Sequence, residues 1–248
     1  MKTILVSAMV FSLIISPLFA TASLQPEKAY HATEKTLRAI SPQGELLRLQ
    51  AGNARFIHNK PQQRDLLHQA KLSSLQGQFP AAIILSCMDS RTSSEIILDQ
   101  GLGDIFSLRV AGNIVDVDQI ASMEYATKVI GTKLIVVMGH TQCGAVKGAC
   151  EKVELGNLSQ LLNKIQPAVA KVKKASQASL DCKNNDTIDK IAKENVLEMM
   201  QQVREKSPII QDLLKQKKIL IVGAMQDLYS GKIVFFNEQG QSLMFLHD

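Results

Sequence analysis

The chain has 248 residues, of which 46% are hydrophobic and 21% are charged, so it is long enough to bury a sizeable core and is not disordered as a whole. The formal net charge is +5, aromatic residues make up 4%, and Trp is absent. Because the Lys and Arg residues are scattered and are not interleaved with aromatic residues, the composition argues against a nucleic-acid-binding protein.

The first predicted element is an apolar segment at the N-terminus. Lys2 provides a short positive start, residues 4–19 are mostly apolar, and Ala20-Thr21-Ala22 is a small-x-small cleavage signal. The segment is short for a membrane anchor, so we predict a cleaved signal peptide over residues 1–22. The remainder, residues 23–248, is then expected to be a single periplasmic or secreted domain that makes no membrane contact after cleavage.

Beyond this segment, helical and strand patterns alternate. Ser41-Pro42 is a helix start, with Ser at the cap and Pro at the first helical position. The apolar face of this helix is predicted to contain Leu46, Leu47, Leu49, Ala54, Phe56 and Ile57. Further helices are predicted at residues 93–100, 118–130 and 144–150, with helix-rich segments at 158–175 and 187–214. Strands are predicted at residues 81–86, 104–110, 133–138 and 218–224, followed by an edge strand at 233–236.

The alternation of strands and helices is typical of an α/β fold. The predicted strands are short apolar runs, as expected for a buried parallel sheet. We therefore predict a mostly parallel four-stranded sheet with an antiparallel edge strand, flanked by helices.

Two of the predicted strands end in residues that can bind metal. Cys87 follows the first strand, and His140 and Cys143 follow the third. Ligands of open α/β sheets bind beyond the carboxyl ends of the strands, so these side chains can meet in space. Two thiolates and one imidazole are a known ligand set of zinc sites that keep a fourth position for water. Each motif alone could reflect cysteines packed as small apolar residues, but the two together predict Zn²⁺.

The same segments resemble the β-class carbonic anhydrases. The principal matches are CMDSR (87–91), DQGLGDIFSLRVAGN (99–113) and HTQCGA (140–145). Shorter matches are LQAGNARFI (49–57), SMEYA (122–126) and VGAMQDL (222–228). The resemblance covers nearly all of residues 23–248. It implies an α/β fold, a homodimer or homotetramer, Zn²⁺ as cofactor, and reversible hydration of CO₂ to bicarbonate and a proton by zinc-bound hydroxide.

Asp89 and Arg91 fit this chemistry as catalytic residues. Two thiolates offset the charge of Zn²⁺, which weakens its pull on the proton of a bound water. Asp89 can accept a hydrogen bond from the hydroxide and orient it, and Arg91 can hold Asp89 ionised. In some members of the family the aspartate instead binds zinc in a closed state, and the sequence does not decide whether Asp89 does so.

The resemblance also implies a substrate pocket. Gln78 matches a glutamine that donates a hydrogen bond to substrate in plant-like members. Phe106 and Tyr125 match the apolar pocket wall, which usually forms at a dimer interface, although ordinary core packing is the alternative. Ala111 matches a smaller wall position, and Gly144 is expected to offer room or a backbone amide beside the zinc.

Three questions remain open at the level of the sequence. The same zinc site could hydrolyse carbon disulfide or carbonyl sulfide. The chain could also be a non-catalytic zinc-bearing interaction protein, although Asp89 and Arg91 argue against this. Cys150 and Cys182 could form a disulfide, but a helix and a polar loop need not adjoin.

Overall fold

A computed structural model of the chain describes residues 29–177 and 179–243. The helices and strands, in chain order, are α1 (Glu34–Ala39), α2 (Pro42–Ile57), α3 (Leu66–Gln76), β1 (Ala82–Ser86), α4 (Ser94–Ile97), β2 (Ile105–Arg109), α5 (Val117–Glu124), β3 (Leu134–His140), α6 (Gly144–Cys150), α7 (Gly156–Asn163), α8 (Gln166–Ser176), α9 (Asn185–Lys206), α10 (Pro208–Lys215), β4 (Leu220–Gln226) and β5 (Ile233–Phe236). Within these residues, no helix combines the length and apolar character needed to cross a membrane. The predicted signal peptide lies outside the described residues.

The five strands form one sheet in the order β2-β1-β3-β4-β5. The first four are parallel, and β5 runs antiparallel to β4. This confirms the predicted fold class. β1 and β3 are central neighbours and are buried at every position, which explains their nearly uninterrupted apolar sequences. Because Ser86 pairs with Met138, the residues that follow these two strands emerge side by side at the same edge of the sheet.

The sheet separates two hydrophobic cores. Alternate residues of β1 point to opposite faces, so Ile83 belongs to one core and Ile84 to the other. The larger core contains most of the buried residues of α9. The smaller core is covered by α2 and α4. The ligand-bearing loops are therefore supported by packed helices on both faces of the sheet.

The buried face of α2 differs in part from the predicted one. Leu46 and Leu49 are buried as expected, but Leu47, Ala54 and Ile57 are exposed. Polar Glu45 and Asn53 are buried in the same helix. Arg48 pairs with Glu45, and Asn53 donates hydrogen bonds to two backbone carbonyls, so these polar groups are satisfied inside the protein.

The helix predicted to be capped by Asp118 begins at Val117 instead. Asp116 is its N-cap and accepts the Val117 N–H at 2.9 Å. From Tyr125 to Ile130 the helix widens into a π-helix, and it ends at Gly131, whose φ of 92° suits glycine. The end of the helix is therefore as predicted, whereas its start is set by a different aspartate.

Two helices, α1 and α3, were not predicted. α3 is mostly exposed, and its apolar residues do not form a clear stripe along one side. Asp65 caps it by accepting the N–H of His68 at 2.9 Å. α1 is short and is held by a capping box between Thr33 and Thr36. Helices of this kind are hard to predict because they have only weak hydrophobic periodicity. Local capping stabilises them more than burial of an apolar face does.

Candidate metal centre

Three donor side chains converge at the carboxyl ends of β1 and β3. Cys87 directly follows β1, His140 is the last residue of β3, and Cys143 is the N-cap of α6. Their donor atoms all lie within 4.8 Å of one another, and all three residues are buried. The structure therefore brings together the residues that the sequence selected, although they come from two loops.

The hydrogen bonding of His140 leaves one ring nitrogen available to a metal. Nδ1 lies 2.8 Å from the carbonyl oxygen of Thr141 and donates its proton there. Nε2 is buried and has no hydrogen-bond partner within the described part of the chain. Burial alone would lower the pKa of His140, but the adjacent Cys87 thiolate outweighs burial and raises it. A buried imidazole nitrogen without a protein partner fits a zinc ligand.

The two neighbouring thiols shift each other's pKa in opposite directions. A hydrogen bond from Cys143 lowers the pKa of Cys87, and the same bond raises the pKa of Cys143. The Gly112 N–H also donates to the Cys87 sulfur, with an N···S distance of 3.4 Å. The amides of Ala145 and Val146 at the start of α6 act to lower the pKa of Cys143. Backbone N–H groups therefore face both sulfurs, and a bound cation would favour the thiolate form of both.

Asp89 lies two residues beyond Cys87 and forms an ion pair with Arg91. Nε and Nη2 of Arg91 donate to the two carboxylate oxygens at 2.9 and 2.7 Å, and the Arg91 backbone N–H donates to Oδ1 at 3.0 Å. These hydrogen bonds hold the pKa of Asp89 well below its usual range. The carboxylate is therefore ionised at neutral pH.

Arg109, at the end of β2, braces the loop that carries Cys87 and Asp89. Its Nε donates to the Cys87 carbonyl at 3.2 Å, and its Nη2 donates to the Asp89 carbonyl. The Thr92 hydroxyl donates to the same two carbonyls, at 3.0 and 2.9 Å. Sequence reasoning assigned no role to Arg109. The available signal was that Arg109 ends β2, the strand next to β1, and so lies at the same edge of the sheet as Cys87.

Helix α9 supports the second ligand-bearing loop. Gln142, between His140 and Cys143, has a φ of 55°, and its backbone N–H donates to Oδ1 of Asp189 at 2.7 Å. Burial raises the pKa of Asp189. The sequence did not indicate this contact, because the two residues are 47 positions apart.

The predicted pocket residues are only partly brought together. Phe106 and Tyr125 line one cavity of about 460 Å³, together with Ile83, Ser107, Leu108, Ala121 and Ser122. None of the three clustered donor residues lines this cavity. Gln78 is exposed in the loop after α3. Ala111 lies in a single 3₁₀ turn, and Gly144 is the first residue of α6, with open space within 4 Å of where a Cβ would stand.

Cys150 and Cys182 form a disulfide, a question that the sequence left open. Their Cα atoms are 5.7 Å apart. Cys150 is the last residue of α6, and Cys182 precedes α9. The bond therefore links the C-terminal end of α6, the helix that Cys143 caps, to the segment just before α9.

Comparisons with known proteins agree on one family. A family model described as carbonic anhydrase matches residues 82–233. Carbonic anhydrase 2 of Mycobacterium tuberculosis is 33% identical over 199 residues, which cover 77% of this chain and 91% of that protein. The carbonic anhydrase of Mycolicibacterium smegmatis is 32% identical over 190 residues, covering 75% of this chain and 88% of that protein.

Solved structures agree with the fold. The β-carbonic anhydrase CcaA is 25% identical, with a TM-score of 0.64, and the match covers 80% of this chain and 98% of that one. A β-carbonic anhydrase from Sordaria macrospora, described as tetrameric, is 25% identical with a TM-score of 0.61. That match covers 85% of this chain and 98% of the other.

Proposed function

The chain belongs to the β-class carbonic anhydrase family, and from this premise we propose that it catalyses the zinc-dependent, reversible hydration of CO₂ to bicarbonate and a proton. One observation carries the proposal. Cys87, His140 and Cys143 form a buried donor cluster, and an ionised carboxylate is held two residues from one of the sulfurs. A zinc site with a purely structural role would not need that carboxylate.

The donor set fits zinc. The sulfurs of Cys87 and Cys143 and the Nε2 of His140 would hold the ion. A bound Zn²⁺ supplies Lewis acidity, which lowers the pKa of a coordinated water from 15.7 to about 7. In the neutral imidazole, the Nδ1 bond to Thr141 places the free lone pair on Nε2 and fixes the plane of the ring.

In this proposal, Asp89 orients the nucleophile. Its carboxylate accepts a hydrogen bond from the attacking water or hydroxide and so directs an oxygen lone pair of that nucleophile toward the CO₂ carbon. Arg91 occupies both carboxylate oxygens from one side, which keeps the group ionised and restricts its rotation. The orientation of Asp89 is thus set before substrate arrives.

The apolar wall around Phe106 and Tyr125 suits CO₂, which has neither charge nor net dipole. β2 forms an edge of the described sheet, so one side of this strand has unpaired backbone groups beside that wall. Tyr125 is 52% exposed. An edge strand next to exposed apolar side chains supports the proposal that a second copy of the chain covers this surface.

We also propose that the protein works in an oxidising compartment. The Cys150–Cys182 disulfide supports this, because such bonds persist mainly in exported proteins. The predicted signal peptide agrees with the same location. Mass spectrometry of the protein from fractionated cells should find it in the periplasmic or extracellular fraction, with Ser23 as its first residue. A cytoplasmic protein that keeps residues 1–22 would contradict the proposal.

The central test measures zinc content and the stopped-flow rate of CO₂ hydration in the same preparations. The wild type is expected to bind one zinc per chain and to hydrate CO₂. Cys143→Ser is expected to lose zinc and activity, because serine is a poor zinc ligand. The double variant Cys150→Ser/Cys182→Ser serves as a control that removes cysteines outside the cluster, and it should keep its zinc even if it is less stable. A folded, zinc-loaded wild type without hydration activity would overturn the proposal and favour carbon disulfide or carbonyl sulfide hydrolysis, or a non-catalytic role.

A further inference from the structure

Three residues of α9 hold the loops around the donor cluster. Asp189 accepts the Gln142 N–H, as described above. Two turns further along, the Asn195 amide Nδ2 donates to the Gly112 carbonyl at 2.9 Å. One turn beyond that, the Met199 sulfur accepts the Val115 N–H at 3.1 Å. The helix thus fixes both the loop between the second and third donors and the turn that lies against Cys87.

Gly112 is the residue through which α9 reaches a donor atom. Its N–H donates to the Cys87 sulfur, and its carbonyl accepts from Asn195. Its φ is 66°, and a Cβ at this position would stand 2.7 Å from Cδ1 of Ile165. Glycine therefore permits the backbone to approach the sulfur, and the bond from Asn195 holds the residue in that orientation.

Asn195 is an unusual residue for its surroundings. It is fully buried. Its neighbours on the same face of α9 are buried apolar residues, namely Ile191, Ala192, Val196 and Met199. Its Oδ1 has no hydrogen-bond partner among the described residues. A buried amide oxygen without a partner costs about 1–3 kcal/mol, so leucine would pack here at lower cost if packing were the only requirement.

We propose that Asn195 is a positioning residue of the metal centre, which holds Gly112 so that its N–H donates to the Cys87 thiolate. The inference rests on the proposed zinc function. An N–H···S hydrogen bond withdraws electron density from the sulfur, which makes the thiolate a weaker donor and leaves the metal more acidic. This effect matters in a site with two thiolates, because their negative charge otherwise reduces the acidity of a coordinated water.

The test compares Asn195→Leu with the wild type after replacement of zinc by Co²⁺. Loss of the hydrogen bond makes the Cys87 sulfur a stronger donor, so the sulfur-to-cobalt charge-transfer band should move to longer wavelength. In the zinc-loaded variant, the pH midpoint of CO₂ hydration should rise. An unchanged band and an unchanged midpoint in a folded, metal-loaded Asn195→Leu would overturn the inference.

Gln50→Leu is the matched control. Gln50 also donates one side-chain amide hydrogen bond to a backbone carbonyl, at 2.6 Å, but it lies on α2 and the carbonyl belongs to Leu243, outside the donor loops. This variant should keep the wild-type band and midpoint even if it is less stable. Equal changes in both variants would show a general loss of stability and would overturn the positioning role.

A second measurement needs no variant. In the wild type loaded with ¹¹³Cd²⁺, the hydrogen bond predicts a scalar coupling between the Gly112 amide proton and the metal, transmitted through the Cys87 sulfur. If Asn195→Leu does not fold, absence of this coupling overturns the inference. If the wild type binds neither Co²⁺ nor Cd²⁺ through sulfur, the metal site itself is refuted. This outcome distinguishes failure of the proposed function from failure of the positioning role of Asn195.

Discussion

The guanidinium of Arg91 holds the carboxylate of Asp89 in a two-point contact, in which Nε pairs with Oδ1 and Nη2 pairs with Oδ2. The two residues are separated only by Ser90, so the contact is contained within the loop that follows β1. The Arg91 side chain is 59% exposed, whereas that of Asp89 is 17% exposed. The arginine therefore covers the solvent side of the carboxylate, while the carboxylate stays near the donor cluster.

Asp89→Asn should separate catalysis from metal binding. The amide keeps the shape of the side chain but removes the charge and one of the acceptors for Arg91. We expect zinc content to stay at the wild-type level and kcat/KM for CO₂ hydration to fall by about 100- to 1000-fold, by stopped flow. Asp118→Asn, which alters an exposed carboxylate on α5, is the control and should retain full activity. Wild-type turnover in Asp89→Asn would contradict the assigned role.

Removal of the disulfide should destabilise the protein. The Cys150–Cys182 bond closes a loop with a sequence separation of 32 residues. Loop-closure entropy predicts a loss of about 3–4 kcal/mol in the free energy of unfolding for the double variant Cys150→Ser/Cys182→Ser. Urea denaturation followed by circular dichroism measures the loss. A reductant should destabilise the wild type by a similar amount and leave the double variant unchanged, and equal stability of the two proteins would refute the prediction.

Asp99 should contribute to stability in a pH-dependent way. Its buried carboxylate binds Arg55 and Arg64, and the residue sits at a φ of 46°, which asparagine also tolerates. Burial alone would raise the pKa of Asp99, but the two arginines outweigh it and lower the pKa. Asp99→Asn should therefore cost about 3 kcal/mol at pH 7, because it leaves Arg64 unpaired and nearly buried.

The sign of the pH dependence follows from the lowered pKa of Asp99. The stabilisation is fully present above the unfolded pKa of about 3.9 and is lost as the pH falls through the folded value. The stability gap between the wild type and Asp99→Asn should thus be constant from pH 7 to about pH 5 and should narrow in stronger acid. Glu34→Gln, which breaks an exposed pair with Arg38, is the control and should change stability by less than about 1 kcal/mol. A gap that widens in acid would contradict the pKa direction.

The proposed dimer surface can be tested at Ala121. This residue is exposed on α5 and lines the cavity that contains Phe106 and Tyr125. Arginine at an exposed helical position should not disturb the fold of one chain, but it would place a charge in an apolar interface. Light scattering after gel filtration should show a dimer or a larger oligomer for the wild type and a smaller species for Ala121→Arg. Ala170→Arg, at an exposed position on α8, should keep the wild-type mass, and an unchanged mass for Ala121→Arg would place the interface elsewhere.

Much of the fold followed from local patterns in the sequence. The strands were predictable because a buried parallel strand needs apolar residues on both faces, which produces short apolar runs bounded by polar residues. Cys87, His140 and Cys143 were predictable as a group because parallel strands present their carboxyl ends at one edge of the sheet. The helices α1 and α3 were not predicted because capping residues and weak packing stabilise them, so they lack a clear apolar stripe in the sequence.

By itself, the sequence determined the order of the strands along the chain and the identity of the three donors, since both depend on residue type and on near neighbours. Only the tertiary structure decided that Cys150 pairs with Cys182, that Glu45 rather than Leu47 is buried in α2, and that Asn195 reaches Gly112 across 83 positions. These features depend on which surfaces meet when the helices pack on the sheet. The local hydrophobic periodicity of a segment does not indicate which distant residue it will contact.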